Sequence, residues 1–333
     1  MKYRIPISKP WITTDDRLAV NAVLEHPELG KEVAAFEAEL AEYLGRKYVV
    51  CVSSGTVALE LTHKAVRNEG TIGGCQAFGF IATANSLETA HGKIVFRDGG
   101  AVLGEVEEPT KIDDYVGMDG WAVTSTIYDA AQAFGAKLPP SLADCYSFNW
   151  NKPITCLGGG CVATDDEQLA SQIDALRNQG RSPNRLMAFD AGTNARMSDM
   201  QAALGRSQLR RVEEIMLWNK TTAGFYKKYL THLDDDSQPW AARDSWFLFP
   251  IELSNRDEVH AKMHSLGIQT RSCADWLLPA HPYYANKYGY KRGDFPEAEK
   301  RADRTLLLPL YPEMTLEDVQ TVCKALEECD ARS

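Results

Sequence analysis

The stretch SFNWNKPITCLGGGC, residues 147–161, holds one amine, Lys152, among aromatic and apolar residues with three glycines six positions on. Most lysines are solvated surface charges. A lysine stripped of water loses basicity and becomes a nucleophile able to condense with a carbonyl as a Schiff base. Upstream, IYDAAQAFG closes an apolar run with Asp129. That carboxylate either caps the helix that follows or sits at the carboxyl end of a parallel strand, where ligands gather, facing a cationic ring nitrogen. Gln132, three residues on, shares its helical face and can bond a neighbouring oxygen. A third stretch, CVSSGTVALEL, reads as strand, small turn and helix. The helix start attracts an anion, Gly55 lets backbone approach it, and Thr56 adds a hydroxyl. A plain capped turn is the alternative, and the full phosphate loop G-x-x-x-x-G-K-[ST] is absent.

These residues need elements to position them. KEVAAFEAELAEYL (31–44) places Val33, Phe36, Leu40 and Leu44 at helical spacing, with Gly45 as the stop. YVVCV (48–52), 94–96 and 121–128 predict strands, each alternating with helical stretches, which indicates an α/β architecture with a largely parallel sheet. Residues 198–217 predict one long helix capped by Ser198 or Asp199, and DDEQLASQIDALRNQG another. Beyond the polar break DDDSQPWAARD, WFLFPIEL reads as a strand and DEVHAKMHSLG and TLEDVQTVCKALEE as helices. This predicts a smaller α+β domain, with the division near 215–235: a large domain over 1–220 and a small one over 221–333.

The length of 333 residues suits about two domains. A net charge of −10 argues against nucleic acid or an anionic membrane as the main partner. No apolar run reaches the ~20 residues of a membrane span, and the charged, proline-broken start is unlike a signal peptide. The cysteines at 51, 75, 145, 156, 161, 273, 323 and 329 form no C-x-x-C pair and no zinc spacing. They read as buried thiols of a cytoplasmic protein, with no metal expected.

Seven stretches in order give the chain a resemblance to the DegT/DnrJ/EryC1/StrS family, sugar aminotransferases of pyridoxal phosphate (PLP) fold type I. They are LGKEVAAFEAELAEYLG (29–45), SSGTVALEL (53–61), FIATANS (80–86), YDAAQAFG (128–135), SFNWNKPITCLGGG (147–160), GTNARMSDMQAALGRSQL (192–209) and LLLPLYPEMTLEDV (306–319). The resemblance implies a large domain with a mostly parallel central sheet flanked by helices, and a smaller α+β carboxy-terminal domain. It implies Lys152 as Schiff-base lysine and general acid–base, and Asp129 as partner of the pyridinium nitrogen. Gln132 then lies near the ring hydroxyl and Phe80 stacks on the ring. Gly55, Thr56 and Ser147 hold the phosphate, and Asn194 reaches the phosphate of a neighbouring subunit, which makes a homodimer with shared sites. His281, in LLPAHPYY, falls near the substrate. Arg177, Arg181 and Arg185 are candidates for a sugar-nucleotide diphosphate, although arginines in such loops are more often solvated. Phe80 read alone suits a core, and Asn194 and Arg196 suit helix caps.

The chain departs from the family pattern in three places. Asp129 follows Asp98 by only 31 positions, where members have about twice that to fit a further strand–helix unit. EGTIGGCQAF replaces an acidic strand-like segment, and Gly158 stands where a Glu commonly precedes the paired glycines. A sheet trimmed of a strand or helix is expected. The leading function is transfer of an amino group from glutamate or glutamine to a keto-sugar, most simply a nucleotide-linked one. Dehydration of a sugar is the runner-up, disfavoured because dehydrating relatives replace the lysine with histidine. A non-catalytic regulatory protein that binds PLP or a sugar nucleotide is the third reading, and it has no need of Lys152.

Overall fold

A computed structural model describes residues 3–66, 71–91, 93–100, 110–116, 122–181, 187–230 and 246–330. The amino-terminal arm bridges Ile5 to Ile268 far along the chain. Helix α1 (Thr14–Glu25) follows, then α2 (Lys31–Leu44), which buries Val33, Phe36 and Leu40 and ends at Gly45 with φ 64°. No side chain of its own caps the start of α2. Asp199 does so from across the fold, accepting from the backbone N–H groups of Gly30, Glu32 and Val33.

Next come β1 (Tyr48–Val52), α3 (Gly55–Val66), β2 (Thr71–Phe78), α4 (Ile81–His91), β3 (Ile94–Gly100), β4 (Thr110–Val116), β5 (Ala122–Asp129), β6 (Ala143–Ser147) and β7 (Gly160–Thr164). The strands form one sheet in the order β1-β7-β6-β5-β4-β2-β3. β1, β2, β3, β5 and β6 run one way, and β4 and β7 run the other. The short segment upstream of Asp129 explains the reversal of β4. Only residues 117–121 separate β4 from β5, and a parallel crossover needs a dozen or more. The chain therefore returns as a hairpin, Thr110 in register with Asp129. The trimming leaves no room for a crossover helix between these strands and keeps β4 in the sheet with its direction reversed.

Helix α5 (Glu167–Arg177) begins at Asp166, whose carboxylate accepts from the N–H groups of Gln168 and Leu169. The single helix expected over 198–217 is two: α6 (Asp199–Leu209) and α7 (Val212–Tyr229). Ser198 is the cap, in a capping box with Gln201. The break falls at Arg211, whose guanidinium is anchored on Asp16, Thr13 and the Trp11 carbonyl. The expected polar break at 234–244 lies outside the described residues. After it come β8 (Phe249–Glu252), α8 (Arg256–Ser265), β9 (Arg271–Ser272), α9 (Pro282–Tyr288), α10 (Pro296–Arg304), β10 (Thr305–Leu308) and α11 (Leu316–Asp330). These strands make a small antiparallel sheet, β8-β10-β9.

Hydrophobic clusters lie on both faces of the large sheet. One joins Val50, Leu59, Ile127, Val162 and Ile173; the other joins Phe36, Cys51, Phe148, Cys161 and Ile215. A separate core gathers Ile5, Tyr226, Phe249, Leu306 and Leu326. Helix α7 thus feeds both lobes, Ile215 into one and Tyr226 into the other, and the amino-terminal arm belongs with the small lobe. Among the described residues no helix is long and apolar enough to cross a membrane.

β7 is in register with both neighbours at the site end of the sheet, Gly160 opposite Val52 and Ser147. A Cβ on Gly160 would lie 2.5 Å from the Gly55 nitrogen and 2.6 Å from the Tyr146 carbonyl oxygen. Backbone atoms cannot swing aside as side-chain tips do. Gly160→Ala is expected to destabilise the protein by roughly 1–3 kcal/mol or more, read as a lowered urea midpoint in equilibrium unfolding.

Candidate active site

The carboxyl ends of β1, β2, β5 and β6 and the amino end of the reversed β7 meet at one edge of the sheet. Their last residues or the turns after them carry Gly55 and Thr56, Phe80, Asp129, Ser147 and Gly159. All of these line one cavity of about 820 Å3, together with Gln132 and Lys152. The opposite wall comes from the small lobe and the arm: Ile7, Ser8, Phe247, His260, Gln269, Arg271, Asp275 and Trp276 among them.

Lys152 follows β6 in a loop closed by backbone bonds from Cys156 and Gly158 to the Phe148 carbonyl. Its Nζ lies 4.2 Å from the centroid of the Phe247 ring. Burial pushes its pKa down to about 8; Asp129 opposes the fall and Arg271 adds to it. Asp129 is pushed the other way, above the usual carboxylate range, by its own burial. Two hydrogen bonds to the carboxylate partly offset that: Thr83 Oγ1 to Oδ2 at 2.6 Å and the Ala131 N–H to Oδ1 at 3.2 Å. Lys152 adds a favourable charge.

The first turn of α3 has N–H groups with no intrahelical acceptor, and Gly55 packs so tightly on Ser147 that a Cβ there would sit 2.7 Å from the serine Cβ. The two glycines before β7 turn the chain at the same place. Gly159 has φ 104°, in the left-handed region, and a Cβ there would meet Met197 at 2.7 Å. The third departure, Gly158 in place of Glu, keeps that turn free of a side chain beside Gln201.

These features fit pyridoxal phosphate. The N–H groups at the start of α3 and the Ser147 hydroxyl beside them suit a phosphate, Asp129 suits a ring N–H, and Phe80, 44% exposed, suits a flat aromatic ring. Lys152 supplies the low-pKa amine. Among the described residues no group of three His, Cys, Asp or Glu could hold a metal ion.

Other expected residues lie elsewhere. Asn194 is exposed and lines no part of this cavity; its side chain meets Arg196, and its backbone bridges to Asn178. His281 donates through Nε2 to the Asp275 carbonyl, 2.8 Å away, and is not a lining residue. Arg181 bonds Gln179 away from the cavity. Arg177 is tied into the large lobe by Glu37, Asp174 and the Cys51 carbonyl, and Arg185 lies outside the described residues. Sequence reasoning missed Thr83, although its place three residues after Phe80 puts both on one helical face. It also missed Phe247, Trp276 and Arg271, which the sequence separates from Lys152 by about a hundred positions and only tertiary contact brings near.

The model of the DegT/DnrJ/EryC1/StrS aminotransferase family matches residues 10–117 and 121–327. The match breaks inside the short β4–β5 connection. The chain is 30% identical to the GDP-perosamine synthase of Caulobacter vibrioides over 98% of both chains. It is 28% identical to the dTDP-3-amino-3,4,6-trideoxy-alpha-D-glucose transaminase of Streptomyces venezuelae, over 90% of this chain and 87% of that one. In fold it matches Helicobacter pylori PseC, an aminotransferase involved in the biosynthesis of pseudoaminic acid, with a TM-score of 0.84 at 22% identity over 99% of this chain and 100% of that one.

Two outcomes are expected. In cofactor-free protein, the rate at which Lys152 captures pyridoxal phosphate rises with pH and levels off near 8, since the neutral amine is the nucleophile and burial lowers its pKa. A rise that continues toward 10.5, followed by stopped-flow absorbance, contradicts it. Thr83→Val removes the donor to Asp129 Oδ2 and further favours the protonated acid, weakening it as a partner for a ring N–H. The Kd for pyridoxal phosphate should rise about tenfold, the loss of one hydrogen bond to a charged group, measured by absorbance titration.

Proposed function

We infer the activity from the premise that this chain belongs to the DegT/DnrJ/EryC1/StrS aminotransferase family: it is a PLP-dependent sugar aminotransferase. The substrate we propose is a nucleotide-linked keto-sugar, with glutamate or glutamine as amino donor. The observation that carries the reading is the amine of Lys152 and the carboxylate of Asp129 on one cavity, beside the helix start at Gly55 and the Ser147 hydroxyl. The nucleotide is supported by the names of the two relatives above, one GDP-linked and one dTDP-linked.

When bound, pyridoxal phosphate supplies an electron-withdrawing ring that stabilises negative charge on the substrate carbon bearing nitrogen. Gly55, Thr56 and Ser147 would hold the phosphate, Phe80 would stack on the ring, and Gln132 would bond near the ring hydroxyl. Asp129, fixed by Thr83 and the Ala131 N–H, keeps a proton on the ring nitrogen. Lys152, poised near neutrality, moves the proton at the substrate carbon, taking it off in one direction and returning it in the other. The walls formed by Phe247 and Trp276 exclude water around it. Dehydration ranks lower because the acid–base group at this position is a lysine.

The active unit is proposed to be a homodimer in which Asn194 reaches the phosphate in a second copy's site. Asn194 and Arg196 are exposed, and Met187 and Phe189 nearby in the chain expose 79% and 56% of their surface. All eight cysteines are free thiols, which suits a cytoplasmic setting. His281 and Arg181, outside the cavity lining, act on substrate from its rim or across the dimer.

Purified protein incubated with pyridoxal phosphate should gain a visible absorbance band that fades on adding glutamate or glutamine and returns with a keto-sugar nucleotide. Borohydride should fix the cofactor on the 147–161 peptide. Absence of the band and of the fixed peptide rejects the reading.

A further inference from the structure

Helix α8 presents His260 and His264, one turn apart, to the cavity that Lys152 lines. Their ring centroids lie 4.2 Å apart. His264 is engaged at both nitrogens: Nδ1 meets the Tyr3 hydroxyl at 3.2 Å, and Nε2 lies 3.0 Å from the Thr270 carbonyl oxygen and 3.2 Å from its N–H nitrogen. His260 is engaged at Nδ1 alone, 2.7 Å from Thr270 Oγ1. Thr270 is itself buried, so the contact fixes the ring's orientation. Nε2 of His260 has no hydrogen-bond partner among the described residues and is not sealed off in the interior.

The proton on the Thr270 contact decides what Nε2 offers. A hydroxyl proton on Thr270 leaves Nε2 an N–H donor, and an Nδ1 proton leaves it an acceptor. A sugar hydroxyl donates and accepts, so it matches either tautomer. A phosphate oxygen only accepts. The rest of this wall has the same bias: Gln269, Thr270 and Ser272 are neutral groups, and the guanidinium of Arg271 is paired with Asp275 at 3.2 Å. Burial, with help from His264 and Arg256, holds His260 below its usual 6.5, against a smaller pull from Asp257. That shift favours the uncharged imidazole.

We propose that Nε2 of His260, oriented by Thr270, binds a hydroxyl of the sugar ring, so that the α8 face of the small lobe is the recognition site for the uncharged part of the substrate. The proposal rests on the sugar aminotransferase reading. It makes His260 a specificity-determining residue remote in sequence from every cofactor motif.

The test is calorimetric binding to the PLP-loaded enzyme of UDP-glucose, dTDP-glucose and GDP-mannose, none of which carries a ketone, beside UDP, dTDP and GDP. The wild type should bind one nucleotide sugar more tightly than its nucleoside diphosphate. His260→Ala should remove that increment, about tenfold, and leave the diphosphate's Kd in place. His260→Gln, which keeps a polar group at similar reach, should recover part of it and guards against a folding defect, with melting curves for both variants. An unchanged increment in His260→Ala overturns the proposal. So does equal weakening of sugar and diphosphate, or wild-type binding of the diphosphate that tightens from pH 7.5 to 5.5 and loses that trend in His260→Ala, since both mark a phosphate contact. Failure of all three nucleotide sugars to bind the wild type overturns the nucleotide-sugar reading as well; loss of the His260 effect alone leaves that reading standing.

Discussion

The site depends on holding an amine out of water without leaving it uncompensated. Isolated buried charges are too costly to keep, and Lys152 answers this by becoming easier to deprotonate rather than by forming a tight ion pair. Phe247 covers its Nζ, Asp129 lends charge from across the cavity, and Arg271 opposes protonation from the small lobe. Asp129 has the mirror-image problem. Burial raises its pKa, and the hydrogen bonds from Thr83 and Ala131 offset part of the rise. The two groups are perturbed in opposite directions by one cause, desolvation, which is the condition under which an amine near neutral pH and a carboxylate coexist in one cavity.

The sheet makes that cavity possible. Strands β1, β2, β5 and β6 end at one edge, and reversed β7 starts there, so residues spread from Gly55 to Gly159 converge. Gly160 lies between Val52 and Ser147 with backbone on both sides. Any side chain there would push the start of α3 away from the strand that carries Ser147. The other reversed strand, β4, has a different origin. A connection of five residues cannot cross over the sheet, so the strand turns back beside β5 and fills the sheet's gap in the opposite direction. The cofactor-facing strands keep their direction because the shortening lies outside them.

The small lobe closes the cavity with chemistry of another kind. Its wall offers imidazole, carboxamide and hydroxyl groups and a guanidinium already paired. The arm that starts the chain is part of the wall: Ile5 sits in the small-lobe core, Ile7 donates its N–H to the Gln269 side chain, and Ser8 reaches the Asn151 carbonyl beside the lysine. Helix α7, rooted in both cores, is the covalent strut between the lobes. Under the proposed function, cofactor binding and substrate recognition fall to different lobes that share a cavity but little sequence.

The sequence alone determined the local matters. The strand and helix around Gly55, the strand that ends at Asp129, and the motifs that carry Lys152, Ser147 and Phe80 are legible, because each is written in neighbours a few residues apart; strands β2, β4, β6 and β7 are not. The shortfall before Asp129 was legible as a length, but its consequence was not, since strand direction is decided by how far a connection must travel. The helix over 198–217 was overextended because Arg211 answers to Asp16, nearly two hundred positions away. Thr83 lies in the motif FIATANS, but its role comes from Asp129, a distant residue in the chain that its hydroxyl reaches at 2.6 Å. The wall of Phe247, His260, Arg271 and Trp276 was hidden altogether. Such residues acquire their roles through contacts between lobes, and side-chain pairing across a cleft leaves no periodicity or spacing in the chain for a reader to find.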